Sequence, residues 1–241
     1  MTDGASTAGD PPGWLLGEVA SAGRENLDPD HVARYDHKED AGAEAELELL
    51  RDLGLSDHSE LVDFGAGTGQ LALAAARACA RVIAVDISPV MIERLRGKIA
   101  NAGLSNVGVA RAGFLSYAHR GEPVEFAYSR LALHHLPDAW KAVALIRVRR
   151  ILRPGGVFRL WDVVYDFDPG EAEARFEAWC AKGGDDLEGE WTRAEFEEHV
   201  RDEHSTFRWL LEPMLARCGF RVEDATYSED GFFGAYVLRA K

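Results

Sequence analysis

The chain has 241 residues, 46% of them hydrophobic, enough to bury the core of one large domain with an added subdomain. Its 41 acidic against 27 basic residues give a formal charge of −14, which repels a phosphate backbone and argues against a nucleic-acid partner. Cys79, Cys180 and Cys218 show no CxxC spacing and no apolar run reaches the roughly 18 residues of a membrane span, so the expectation is a soluble, cytoplasmic protein without disulfides.

Residues 1–13 mix Gly, Pro, Ser, Thr and Asp without periodicity and read as a disordered tail that lacks the pattern of a signal peptide. Residues 14–56 turn helical, ending in "AEAELELLRDLGL", where Leu47, Leu50 and Leu53 share one face; this region is expected to act as an N-terminal helical lid. From 57 to 163 short apolar runs alternate with helical stretches: "ELVDFG", "GQLALAAARAC", "RVIAVD", "SPVMIERLRGKIANAG", "VGVARAG", "VEFAYSRL", a helix around 138–152 and "GGVFRLWDV". That rhythm predicts an α/β fold, a doubly wound and mostly parallel sheet with helices on both faces. Residues 164–206 break it with Tyr165, Phe167, Phe176, Trp179, Trp191 and Phe196 in a helical frame, expected to be an insertion that caps an acceptor site. A helix at about 207–218 and two β-rich runs around "EDG" then predict a closing antiparallel hairpin that completes the core.

The first strand runs into "DFGAGTG" at 63–69. In an open parallel sheet that turn is a ligand site, because backbone N–H groups and a helix N-terminus point into the crevice. Gly65, Gly67 and Gly69 allow close approach to the main chain, with at least one φ above zero expected. Asp86 ends the second strand 86 − 69 = 17 residues later, where a carboxylate can accept both hydroxyls of a ribose. The spacing is GxGxG after Asp63 rather than GxGxxG. It disfavours a pyrophosphate-bearing dinucleotide and suits a sulfonium with an amino-acid end, which gains from the nearby Asp63 carboxylate.

The sequence resembles the class I S-adenosylmethionine-dependent methyltransferases through "LVDFGAGTGQ", "VIAVDISPVMIERLR", "LALHHLPD" and "RILRPGGVFRLWD", which together cover about 60–162. It is similar to the ubiquinone/menaquinone-type, small-molecule enzymes among them. The resemblance implies a Rossmann-like sheet of seven strands with an antiparallel C-terminal strand. It implies S-adenosylmethionine as cofactor, bordered by Asp63, Gly65, Gly67, Gly69, Gln70 and Ser129, with Asp86 on the ribose and Ile87, Met91 and Phe114 near the adenine. Tyr35 would form the lid over the methionine moiety. Where relatives carry a Gly-Asp pair after the third strand, this chain has "RAGFL" and so Gly113, which removes the acceptor for the adenine amino group. On that reading Gly113→Asp should tighten cofactor binding.

The loop after the fourth strand reaches the reaction centre in this fold and carries Arg130, His134 and His135, the catalytic candidates. A histidine there can take a proton from a hydroxyl or ammonium acceptor; the same pair can instead cap a helix or fill space. His37 is a weaker candidate base. Adjacent histidines point different ways, so His134, His135 and Asp162 are not expected to hold a metal. In "WTRAEFEEHVRDEHSTFRWLL" the acids Glu197, Glu198, Asp202 and Glu203 read as a solvated face, and His199 and His204 as bystanders.

The expected activity is methyl transfer to the O, N or C atom of a small, amine-bearing or aromatic acceptor by a monomer or homodimer. The alternatives are a non-methylating use of the sulfonium, by cyclisation or pericyclic catalysis, and a non-catalytic cofactor-binding module. The aromatics of 164–206 can equally be that segment's own core.

Overall fold

A computed structural model describes residues 12–23, 25–38, 42–184 and 191–241, leaving aside the side chains of residues 25, 34 and 36–38. The tail expected at 1–13, apart from Pro12 and Gly13, and the His37 side chain lie outside the described residues. Two short 3-10 turns, Glu18–Ser21 and Glu25–Leu27, precede helices α1 (Pro29–Lys38) and α2 (Ala43–Asp52). Then follow β1 (Glu60–Phe64), α3 (Gln70–Ala75), β2 (Arg81–Asp86), α4 (Pro89–Ala102), β3 (Val107–Arg111), β4 (Val124–Arg130), α5 (Asp138–Ile151) and β5 (Leu152–Tyr165). The chain closes with α6 (Ala172–Cys180), α7 (Arg193–Asp202), β6 (Thr206–Phe207), α8 (Arg208–Arg217), β7 (Phe220–Tyr227) and β8 (Phe233–Ala240).

The sheet order is β3-β2-β1-β4-β5-β8-β7. The first five strands in sequence pair in parallel, and β8 lies antiparallel between β5 and β7. The seven-stranded, doubly wound sheet read from the sequence is present. A two-residue eighth strand, β6, adds to it by pairing with the far end of β5 at Val164 and Tyr165.

The central strands read as unbroken apolar runs because both faces are covered. One face packs Val62, Phe64, Val85 and Phe158 with Leu145 of α5 and Leu215 of α8; the other packs Leu61, Val82 and Ala84 with Leu47 of α2, Leu71 of α3 and Leu95 of α4. Each such side chain removed from water stabilises the fold by about 1.5–3 kcal/mol. Arg159 on β5 makes a bidentate pair with Glu46, its Nε and Nη2 each donating at 2.8 Å, and so ties α2 to the sheet.

Helix α4 starts where the sequence signals it. Ser88 caps it by accepting from Met91 N at 3.2 Å, Pro89 fills the first turn, and Gly103 ends it at φ 64°. This fixes Ile87 and Met91 at the carboxyl end of β2. The three cysteines are buried free thiols, and no helix among the described residues is long and apolar enough to cross a membrane.

Candidate active site

All three turn glycines have positive φ, 68° at Gly65, 54° at Gly67 and 87° at Gly69, but they serve different ends. A side chain at Gly65 would meet Ala132 Cβ at 2.3 Å, and one at Gly69 would meet Leu95 Cδ1 at 2.2 Å. Those two let neighbouring elements close in. At Gly67 the nearest atoms are 3.9 Å away on Tyr35 and 4.0 Å on Met91, so its Cα faces open space. Asp86 holds the turn by accepting from Gly67 N and Ser88 N, both at 2.8 Å. Burial raises the Asp86 pKa, opposed by those N–H groups. Asp63 is pushed up to about 7 by burial and, next, by the Asp86 charge.

The N-terminal segment reaches this end of the sheet. Glu18 accepts from Leu115 N at 2.8 Å and from Ser116 Oγ at 2.7 Å. A Cβ on Gly113 would stand 2.3 Å from Glu18 Oε1. The carboxylate absent from position 113 is thus matched by one delivered from residue 18. Glu18 borders the same small cavity as Gly67, Asp86, Ile87, Met91 and Phe114. Phe114 is buried and stacks on Phe64 with centroids 5.0 Å apart.

A large cavity, about 840 Å³, lies beyond the glycine turn, between α1, α6, α7 and the loop after β4. His135, Leu131, Tyr35 and Asn26 line both it and the cavity beside the turn. Leu131, at φ 49°, is the only described non-glycine residue with positive φ, a costly conformation at the junction of the two spaces.

Below that junction five ionisable side chains converge. His134 is buried with Nδ1 against Asp162 Oδ1 and Nε2 2.9 Å from Glu203 Oε2. His199, one helical turn before Glu203, sets its Nδ1 against the same carboxylate oxygen and pairs Nε2 with Ser205 Oγ at 2.9 Å. Burial alone would lower the His134 pKa, but the Asp162 and Glu203 carboxylates outweigh it and raise it to about 10. Beside that charge His135 is driven the other way, to about 3, by burial first and His134 second. Burial also lowers His199 against the opposing pull of Glu203. Glu203 is held well below the carboxylate range because the His134 charge and the imidazole hydrogen bonds overcome its burial.

A family profile described as "Methyltransferase domain" matches residues 61–156. A protein of Oceanobacillus iheyensis named as an uncharacterized methyltransferase is 27% identical over 119 residues, 49% of this chain and 54% of that protein. Another from Geobacillus kaustophilus is 29% identical, covering 54% of this chain and 60% of that protein, so the chain spans little more than half of these relatives. In fold it matches a SAM-dependent methyltransferase of Aquifex aeolicus with a TM-score of 0.59 at 20% identity, over 88% of this chain and 98% of that one. The matched stretch contains the glycine turn and Asp86 in the geometry just described.

Over residues 61–156 the chain therefore carries a methyltransferase domain similar to those of the class I S-adenosylmethionine-dependent enzymes. Its cofactor is accordingly S-adenosylmethionine.

Most residues expected to border that cofactor do line two smaller cavities of this chain: Tyr35, Asp63, Gly65, Gly67, Gln70, Asp86, Ile87, Met91, Gly113 and Phe114. Two do not. Ser129 is wholly buried inside β4, and Gly69 gives its space to Leu95. Arg130 lines the two smaller cavities rather than the large one, its guanidinium stacked 3.9 Å over the Trp161 ring. Glu203 and Glu198 are corrected from solvated face to cavity lining, and His199 from bystander to partner of Glu203, whereas Glu197, Asp202 and His204 are exposed as expected.

The aromatics of the insertion divide. Tyr165, Phe167 and Phe176 pack into its own core with Phe207 and Phe232, while Trp179, Trp191 and Phe196 line the large cavity. Glu18 was missed because "LLGEVAS" carries no motif, and Glu203 because it lies just past the end of α7, where the helical pattern no longer tells which way a side chain turns.

Proposed function

We propose that this chain transfers the methyl group of S-adenosylmethionine to a small molecule held in the 840 Å³ cavity. The observation that carries the reading is the shared wall. His135, Leu131 and Tyr35 belong to both the cofactor space and the large cavity, so donor and acceptor meet at one opening. Holding them there supplies most of what an in-line displacement needs. An acceptor lone pair forms the new bond to the methyl carbon while the carbon–sulfur bond breaks, its electron pair staying on sulfur; a proton carried by the acceptor atom leaves to solvent.

The residues divide the work. Asp86 takes the ribose hydroxyls and Asp63 faces the cationic methionine end. Glu18 accepts from the adenine amino group in place of a carboxylate at position 113, with Phe114, Ile87 and Met91 around the ring. His135 is the side chain that touches both reactants, and His134, locked between Asp162 and Glu203, positions it. Arg130 contacts the cofactor. Trp179, Trp191 and Phe196 with Glu195 and Glu198 suit an aromatic, amine-bearing acceptor. The buried free thiols agree with a reducing, cytoplasmic setting.

Incubation with S-adenosylmethionine and a panel of aromatic amines and phenols, read by mass spectrometry, tests the proposal. The expected product gains one methyl group in step with S-adenosylhomocysteine. The fold also resembles the cyclase SpnF, with a TM-score of 0.65 at 16% identity over 90% of this chain and 93% of that one. A product isomeric with its substrate, formed without cofactor turnover, would therefore replace methyl transfer by cyclisation. His135→Ala should lower kcat with S-adenosylhomocysteine affinity retained.

A further inference from the structure

We propose that His134, His135 and Glu203 bind one divalent transition-metal ion on the floor of the large cavity, where it anchors an oxygen of the acceptor. One ligand atom from each residue lies within 4.8 Å of the other two. Adjacent histidines alone make a poor site; Glu203, brought in from the end of α7, supplies the missing third ligand.

A network bridged only by protons explains part of this geometry. His134 Nε2 and Glu203 Oε2, at 2.9 Å, are near enough to share a proton, and His199 Nδ1 meets the same oxygen. His135 Nδ1 is buried without a hydrogen-bond partner among the described residues and stands 3.8 Å from Glu203 Oε1. That gap is too long for a hydrogen bond. Ligand atoms about 2.0–2.2 Å from a shared zinc-like ion lie about 3–4 Å from one another, so an ion held by the two imidazoles and the Glu203 carboxylate needs only small side-chain shifts from these separations.

The surrounding groups are those a metal site requires. Asp162 faces His134 Nδ1 and accepts from His134 N at 3.1 Å and Val163 N at 2.8 Å, an arrangement that aims Nε2 at Glu203. His199, fixed through Ser205, braces the Glu203 carboxylate. With His134 neutral as a ligand, the Asp162 and Glu203 carboxylates are balanced by the charge of a dication instead. Two imidazoles and one carboxylate suit zinc or iron(II) and leave coordination positions open. His135 and Glu203 both line the large cavity, so those positions face it. A phenolate, carboxylate or keto oxygen is the ligand class they take; this acceptor role rests on the functional reading above.

The full chain without an affinity tag, stripped by chelator, is titrated with Co²⁺ and followed by visible absorption and calorimetry. One saturating equivalent is expected, with affinity lowered at least about tenfold by Glu203→Gln, by His135→Gln and by Asp162→Asn. Thermal melting identifies any variant that fails to fold, and the remaining ones carry the comparison. No saturable Co²⁺ binding by the wild type, or undiminished binding in both Glu203→Gln and His135→Gln, overturns the site in favour of a proton-bridged network. S-adenosylhomocysteine binding is read on the same samples. Its retention without Co²⁺ binding removes only the ion, whereas loss of both removes the methyl-transfer reading as well.

Discussion

The two halves of the candidate site are built in opposite ways. On the cofactor side, Asp63 to Gly69 are consecutive and Asp86 ends the neighbouring strand, so backbone geometry and one register do most of the positioning. On the acceptor side, His134 and His135 come from a loop after β4, Asp162 from β5 and Glu203 from the end of α7, joined only by side chains. Main-chain sites tolerate drift in sequence because any residue supplies an N–H. Side-chain sites change with each substitution, which is how one scaffold can keep its donor and exchange its acceptor.

The largest effect expected on the backbone-built side comes from Asp86→Ala. It strands the N–H groups of Gly67 and Ser88, each costing about 1–3 kcal/mol when buried and unpaired, and deletes the charge-assisted bonds proposed to the ribose. Calorimetry should show S-adenosylhomocysteine binding weakened at least about a hundredfold. Unchanged affinity would remove Asp86 from the site.

Glu18 lies between the two modes of construction, a side chain from a distant segment serving the cofactor. Glu18→Ala should weaken S-adenosylhomocysteine binding about tenfold, the worth of one hydrogen bond to a charged acceptor. The structure reverses the sequence-based expectation for Gly113→Asp. The new side chain meets the Glu18 carboxylate at 2.3 Å and repels it, so the single change should weaken binding. In a Glu18→Ala background the same substitution should recover most of the loss. Failure of the double variant to recover would show that the two carboxylates do not serve one role.

This contrast also explains what could be read in advance. The alternating apolar runs, the glycine spacing and the acid at the end of β2 are local patterns, so the fold, and which residues gather around the two small cavities, were legible. Spacing along a strand–turn–helix unit does not say which Cα faces a cavity and which faces Leu95 or the sheet interior, as at Gly69 and Ser129. Glu203 follows α7 with an extended backbone, φ −96° and ψ 163°, so the helical pattern that made it a solvated acid ends one residue too early. Glu18 carries no pattern at all; only its hydrogen bonds to Leu115 and Ser116 reveal it.

Asp63 gives the smallest effect on binding and separates function from stability. Its carboxyl sits at about 7 in the folded chain against an ordinary value of 3.8, through burial and the neighbouring Asp86 charge. Tyr35, Tyr128 and Arg130 line the same small cavity. A folded-state pKa above the unfolded one means stability present below pH 4 and lost as pH rises through about 7, by an amount on the order of a few kcal/mol. Asp63→Asn should therefore raise the melting temperature of the cofactor-free chain at pH 8, with the gain shrinking towards pH 4. The cationic methionine end of S-adenosylmethionine prefers the ionised carboxyl, so wild-type affinity should climb as pH rises through about 7 and be flatter in Asp63→Asn, with about a fivefold difference at pH 8. A variant that binds equally well at pH 6 and pH 8, beside a wild type that does the same, would detach Asp63 from the cofactor's charge. A variant no more stable than wild type at pH 8 would instead show that the buried carboxylate is already compensated before the cofactor arrives.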